Sequence, residues 1–413
     1  MRHPPEATPW PRVSVAWIVL AALTRVVAGV VLGDRIHFID EALYIDAARA
    51  LLAGNGFGHG YANVPAQPVF LAVLAAPWPR SLVLVRCGQG LVTGLVGGAV
   101  LRALGRRTFG PAATRVALAL WALDPLVVVA GALLYPDAIG AVVLAGALLA
   151  TVAAAHDDRY LTSTVAGALL GLTVLFRPVA VVLIPVLAAW GLVASSAARA
   201  RRWRHALCLV TACGLAIAPW VLRNLAHEGH VVPSAMPGLQ GAPVPVRDID
   251  QTGLGASLGR ELWHNPGPMM LRIGRELTGF WELYPTRLQT DDPEVRASMH
   301  REDARVPVDS SFPPALRDVV SAVTSGLELA LALGGLAIAW RTQRLVAVLL
   351  VAVAFMYGLG YALFVAKLRY RIVVLPGVFL LSGVGATALA GVLSVRRSAV
   401  GAAVGRDAAS GSV

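Results

Sequence analysis

Two short clusters in this sequence carry residue types that can do chemistry together. The first is Asp40-Glu41-Ala42-Leu43-Tyr44, two adjacent carboxylates followed by a phenol. The second is Lys367-Leu368-Arg369-Tyr370-Arg371, which contains the only lysine of the chain. A carboxylate at a membrane–water boundary can serve as a general base, because partial burial raises its pKa toward the working range. Clustered cations can hold a phosphate or pyrophosphate, arginine through its planar fork and lysine as a point charge. A third candidate is Asp137, in Leu134-Tyr135-Pro136-Asp137, and a fourth is Asp124, inside an apolar run just before Pro125. An acid within a membrane is costly and normally paired, so Asp124 is either functional or the partner of an arginine. Ordinary alternatives exist for each. Asp40 and Glu41 suit the positive end of a helix, and Asp137 suits a solvated loop. Arg25, Arg86 and Arg177 fall near the ends of apolar runs, where a guanidinium can snorkel to the head groups.

The elements that must position these residues are membrane spans. The chain has 413 residues, of which 57% are hydrophobic and only 14% charged, and its mean hydropathy is +0.67. A soluble domain carries about 25% charged residues, so this chain cannot cover itself with a solvated surface. Apolar runs at about 13–32, 81–103, 112–131, 137–155, 160–176, 178–196, 205–222, 318–340, 345–365 and 372–394 predict ~10 spanning helices. Gly94, Gly97 and Gly98 predict close helix approach. The net charge of +11 sits in short arginine clusters between spans, at 106–107, 199–204, 341–344 and 396–397. That is the positive-inside pattern, and without a basic face interleaved with aromatics it excludes nucleic acid as a partner. The basic start, Arg2 and Arg12, leads into an apolar run without a small-residue cleavage site and predicts an uncleaved first span. Cys87, Cys208 and Cys213 lie in apolar segments and form neither a metal site nor a disulfide framework.

With both termini cytoplasmic, two stretches fall outside, 33–79 and 223–317. The first contains a helix-like piece from Asp40 to Leu52, with Leu43, Ala47, Ala50 and Leu51 at helical spacing, and predicts an interfacial helix. The loop Gly54-Asn55-Gly56-Phe57-Gly58 follows it. The second contains an amphipathic segment, Leu271 to Tyr284. The same topology brings Asp40, Asp137 and residues 367–371 to one outer face. A basic cluster there runs against the positive-inside bias, which argues for an anionic partner. Asp291-Asp292 and His300 form no spacing that supports a metal.

Several features in order make the chain resemble the C-type (GT-C) glycosyltransferases, multispanning enzymes that include the protein O-mannosyltransferases and the lipid A aminoarabinose transferases. They are Arg25; Asp40-Glu41 with Tyr44; Gly54 to Phe57 followed by prolines; Arg86 with Gln89; Pro136-Asp137; Arg177-Pro178; Pro219-Trp220-Val221-Leu222-Arg223-Asn224; and Arg369-Tyr370-Arg371 before Pro376. The resemblance runs from about residue 20 to residue 385. It implies an inverting transferase using a polyprenyl-phosphate-linked sugar, with Asp40 as base, Asp137 as a second acid and Lys367, Arg369 and Arg371 near the carrier phosphate.

The resulting expectation is an all-α, polytopic bundle, with a transferase domain over 1–397 and a cytoplasmic tail over 398–413. It would move a hexosyl or pentosyl unit from the lipid-linked donor to a glycan, lipid or protein acceptor, on the extracytoplasmic face of the cell membrane. The expected catalytic residues are Asp40, Glu41 and Asp137, and the expected phosphate ligands are Lys367, Arg369, Arg371 and Arg86. Arg25, Tyr44, Asp124 and Arg223 would support them. No cofactor is implied, although a divalent metal remains an unsupported option. The alternative is a secondary transporter or lipid-linked-sugar flippase, which would show inverted repeats and broken helices near the midplane. No such repeat is visible in the sequence.

Overall fold

The computed structural model describes residues 12–57, 64–228, 254–285 and 314–410, and among them fifteen α-helices and no strand. They are α1 (Arg12–Leu32), α2 (Ile39–Leu52), α3 (Ala66–Ala75), α4 (Leu82–Thr108), α5 (Gly110–Leu123), α6 (Pro125–Ala132), α7 (Pro136–Asp157), α8 (Tyr160–Phe176), α9 (Leu183–Ala194), α10 (Arg199–Glu228), α11 (Leu254–His264), α12 (Pro266–Phe280), α13 (Pro314–Thr342), α14 (Arg344–Ala362) and α15 (Leu375–Ser410). Seven of these are long and apolar enough to cross a membrane: α1, α4, α7, α10, α13, α14 and α15. The all-α polytopic expectation is borne out, and each of the ten apolar runs is helical over most of its length. The segment from Asp291 to His300, the loop residue Gly58 and the start of the chain lie outside the described residues.

Three runs depart from straight spans, each at a proline. The run at 112–131 is two helices, α5 and α6, bent by 56° at Asp124-Pro125. Proline has no N–H to donate and pushes the preceding residue out of helical geometry. Asp124 accordingly sits at ψ 120°, and its carboxylate accepts the Val127 N–H at 2.7 Å to start α6 afresh. The run at 178–196 opens as a 3-10 turn, Pro178–Val182, before α9. The last run opens as a 3-10 turn, Leu368–Val374, and this turn carries the cationic cluster.

Small residues let the helices close on one another. A Cβ on Gly94 would lie 2.4 Å from the Ala22 Cα, and one on Gly97 would lie 2.7 Å from the Trp121 ring. At the arginine-rich end, Arg107 pairs with Asp157 and Arg201 with Asp158. His205 links Ser163 (2.7 Å) to Asp158 (2.9 Å), tying α8 to α10.

The α2 helix packs in a different register from the one its leucines predict. Glu41, Tyr44, Ile45 and Ala48 face inward, while Leu43 is 49% exposed. Its buried face meets α3, the start of α4 and the Leu134-Tyr135 segment. A polar residue, Glu41, sets that register.

Because the Gly94 contact is with backbone, no rotamer can relieve it. Gly94→Ala is expected to destabilise the α1–α4 pair by about 1–3 kcal/mol. The check is the fraction of detergent-solubilised protein that stays monodisperse after graded heating.

Candidate functional site

The site is assembled around an irregular stretch, Leu133–Tyr135, between α6 and α7. Unpaired backbone groups inside a membrane bundle are costly unless side chains satisfy them. Here they do. Gln89 donates to the carbonyls of Gly131 (3.2 Å) and Leu133 (2.5 Å), and Gln67 donates to that of Leu134 (3.0 Å). Arg86 donates to the Ala132 carbonyl at 3.1 Å, and Glu41 accepts the Leu134 N–H at 2.8 Å.

Glu41 and Arg86 also pair with each other at 2.7 Å, and both side chains are fully buried. Arg86 reaches the carbonyls of Gly33 (3.2 Å) and Arg35 (2.6 Å), beyond the end of α1. The second Glu41 oxygen accepts the His37 N–H at 2.8 Å. As the third residue of α2, Glu41 thus reaches back past the helix start much as a capping-box glutamate does. These two residues, expected as a catalytic acid and a phosphate ligand, have their hydrogen-bonding capacity committed to the scaffold.

Asp40 faces another way. Its Oδ2 accepts from Arg369 Nη2 at 2.8 Å, although 329 residues separate them. Both side chains stay accessible, Asp40 at 31% and Arg369 at 23%. The guanidinium of Arg369 stacks over the Tyr135 ring at 4.3 Å and lies 5.2 Å from the Tyr370 ring. Arg177 also sits 5.2 Å from the Tyr370 ring and pairs with Asp137. The sequence of groups is therefore acid, arginine, aromatic ring, arginine, acid. The inner pair is nearly closed to solvent, Asp137 at 1% and Arg177 at 9%. Tyr370 also stacks on Tyr361 with centroids 4.3 Å apart. Burial pushes the Tyr44 and Tyr135 phenols well above their ordinary pKa, against the lowering fields of Arg177 and Arg369 respectively. Both stay neutral and can donate hydrogen bonds.

The cations divide sharply. Among the described residues Lys367 has no ion-pair partner and is half-buried. Arg371, two positions beyond Arg369, points inward and donates to the Glu282 carbonyl (2.5 Å) and to the Ser325 hydroxyl. Arg25 does not snorkel outward; its side chain is fully buried in the protein. It is buried beneath the site, donating to the carbonyls of Ala21 (2.7 Å) and Trp121 (2.8 Å). Arg223 lies 4.8 Å from the Trp220 ring and 6.0 Å from that of Phe57, so the α10 exit packs against the loop after α2. Asp124 adjoins Arg25, Arg371 and Glu328. Sequence reasoning passed over Glu328, although an acid inside an apolar span was itself the signal.

The segment 254–285 clamps the cationic turn. Arg272 of α12 donates to the Phe364 carbonyl at 2.8 Å, and Glu276 accepts the Ala366 N–H at 2.9 Å. Among the described residues no group of three or more His, Cys, Asp or Glu is placed to hold a metal ion.

The all-α polytopic fold is similar to that of solved lipid-phosphate-linked transferase structures, the fold that the sequence resemblance led us to expect. Residues 80–222, from the start of α4 to near the end of α10, match the model of the dolichyl-phosphate-mannose-protein mannosyltransferase family. The fold is similar to the apo oligosaccharyltransferase of Archaeoglobus fulgidus, with TM-score 0.57, 14% identity, and 94% of this chain and 52% of that one covered. It is also similar to ArnT from Cupriavidus metallidurans bound to undecaprenyl phosphate, with TM-score 0.53, 17% identity, and coverage of 90% and 60%. AglB from A. fulgidus, in complex with an inhibitory peptide and a dolichol-phosphate, gives TM-score 0.53 and 13% identity. The chain thus spans about half the length of the oligosaccharyltransferase. Among curated proteins none matches the sequence.

The two neighbouring acids should separate by experiment. Glu41→Gln leaves Arg86 buried without a counter-charge and should cost about 3–5 kcal/mol. Asp40→Asn opens a partly exposed pair and should cost about 1 kcal/mol or less. Thermal midpoints of the two purified variants in one detergent measure the difference.

Proposed function

We propose that this protein is a membrane glycosyltransferase. It moves a sugar from a polyprenyl-phosphate carrier to an acceptor hydroxyl, with inversion, on the extracytoplasmic face of the cell membrane. The observation that carries this reading is the open Asp40–Arg369 pair, which joins an acid after the first span to a cation before the last. The match to the mannosyltransferase family model and the lipid phosphates named with ArnT and AglB support a lipid-phosphate donor. The arginine clusters at the opposite end support the assignment of the face.

In this mechanism Asp40 accepts the proton of the acceptor hydroxyl while that oxygen attacks the anomeric carbon from the side opposite the carrier. The bond from the anomeric carbon to the phosphate oxygen breaks, and its electron pair leaves with the lipid phosphate. Arg369 and Lys367 stabilise the charge that develops there, which is where preorganised cations are most effective. Attack opposite the leaving group inverts the anomeric centre. Asp137 holds Arg177 against Tyr370 and so keeps Arg369 in place, acting through its neighbours. Tyr44 and Tyr135, held neutral by burial, are suited to donate hydrogen bonds to sugar or phosphate oxygens.

Asp40→Asn should lower transfer by about 10²–10⁴-fold, as expected for loss of a general base, with normal membrane insertion. Arg369→Met should lower it by about 10²–10³-fold through lost phosphate stabilisation. Both are read in membranes supplied with a lipid-linked sugar. Retained transfer in Asp40→Asn would remove the base assignment.

A further inference from the structure

Three acid–arginine pairs crowd one end of the bundle, and they differ in one respect. Glu41–Arg86 is closed to solvent, Asp137–Arg177 is nearly so, and Asp40–Arg369 is open. Exchange of a partner by an incoming anion requires that the anion reach the cation before the old contact is lost. Only the open pair allows that. Arg369 is also held from outside its ion pair, by the rings of Tyr135 and Tyr370. Its guanidinium can therefore change anions without leaving its place.

From this we infer that Asp40 and the donor's phosphate compete for Arg369, so that donor binding releases the base. Before the donor arrives, the hydrogen bond from Arg369 occupies Asp40 Oδ2, one of the two oxygens that could take a proton. That oxygen is open to the acceptor's proton only once Arg369 lets it go. A lipid phosphate, drawn first to Lys367, offers more negative charge than a carboxylate and fits the arginine fork in two-point contact. As it takes Arg369, Asp40 is freed beside the anomeric carbon. Deprotonation of the acceptor is thereby tied to an occupied donor site. The inference rests on the proposal that the site receives a polyprenyl phosphate.

The test is the binding of undecaprenyl phosphate to the full chain in nanodiscs, with uncharged undecaprenol as a control. Removing the competing carboxylate in Asp40→Asn should tighten phosphate binding roughly fivefold to tenfold, the scale of a partly exposed ion pair, while undecaprenol binding stays unchanged. In an Arg369→Gln background the same Asp40→Asn change should have little effect, since the contested cation is gone; this double-mutant comparison separates competition from a general change of charge. Equal or weaker phosphate binding by Asp40→Asn would overturn the competition. So would an equal gain in the Arg369→Gln background. Failure of the wild-type chain to bind the phosphate at all would instead remove the donor assignment under the proposed function, a separate outcome.

Discussion

The buried pair of Glu41 and Arg86 is the constraint on which the site depends. A charge taken fully out of water is tolerable only with an opposite charge and with its remaining hydrogen-bonding groups satisfied. Glu41 meets both conditions by bonding Arg86, the Leu134 N–H and the His37 N–H. That leaves α2 a single rotation about its own axis. Adjacent helix residues point about 100° apart. With Glu41 fixed inward, Asp40 is turned to the flank where the last span begins, and Tyr44 follows Glu41 into the interior.

The same pair explains why the chain breaks where it does. Between α6 and α7 the backbone leaves helical geometry for three residues, and Glu41, Arg86, Gln67 and Gln89 bond its polar groups. The reward is position. Tyr135 becomes the platform beneath Arg369, and Asp137 opens α7 against Arg177. Charges within a low-dielectric bundle interact more strongly than charges in water. The graded exposure of the three pairs divides them: the closed ones hold the frame, and under the proposed function the open one meets the substrate.

The long-range part of this arrangement was legible in the sequence. Hydropathy marked the apolar helices, and their alternating course predicted that Asp40 and Arg369 share one end of the bundle, where they pair. The divisions within each cluster were not legible. Asp40 and Glu41 are neighbouring carboxylates, and which one faces inward depends on Arg86, which sits on another helix. Arg369 and Arg371 belong to a 3-10 turn, where residues two apart point about 240° around the axis. One reaches the open site, and the other reaches Ser325 and the Glu282 carbonyl. The bend at Asp124 was signalled by Pro125, but the hydrophobicity of the run concealed it.

The cationic turn illustrates how little local structure a segment needs when its surroundings over-determine its position. A 3-10 turn has poor hydrogen-bond geometry and would not hold Lys367 and Arg369 steady by itself. Its position is set from three directions. From α12, Arg272 and Glu276 bind the backbone just ahead of it at Phe364 and Ala366. From below, Arg371 is tied to α13 through Ser325. From the side, Tyr370 stacks on Tyr361 and lies beside the two guanidiniums. The helix α12 matters here for what it fixes. By holding Phe364 and Ala366 it helps keep Arg369, a few residues on, against Asp40, which the turn's own backbone could not do alone.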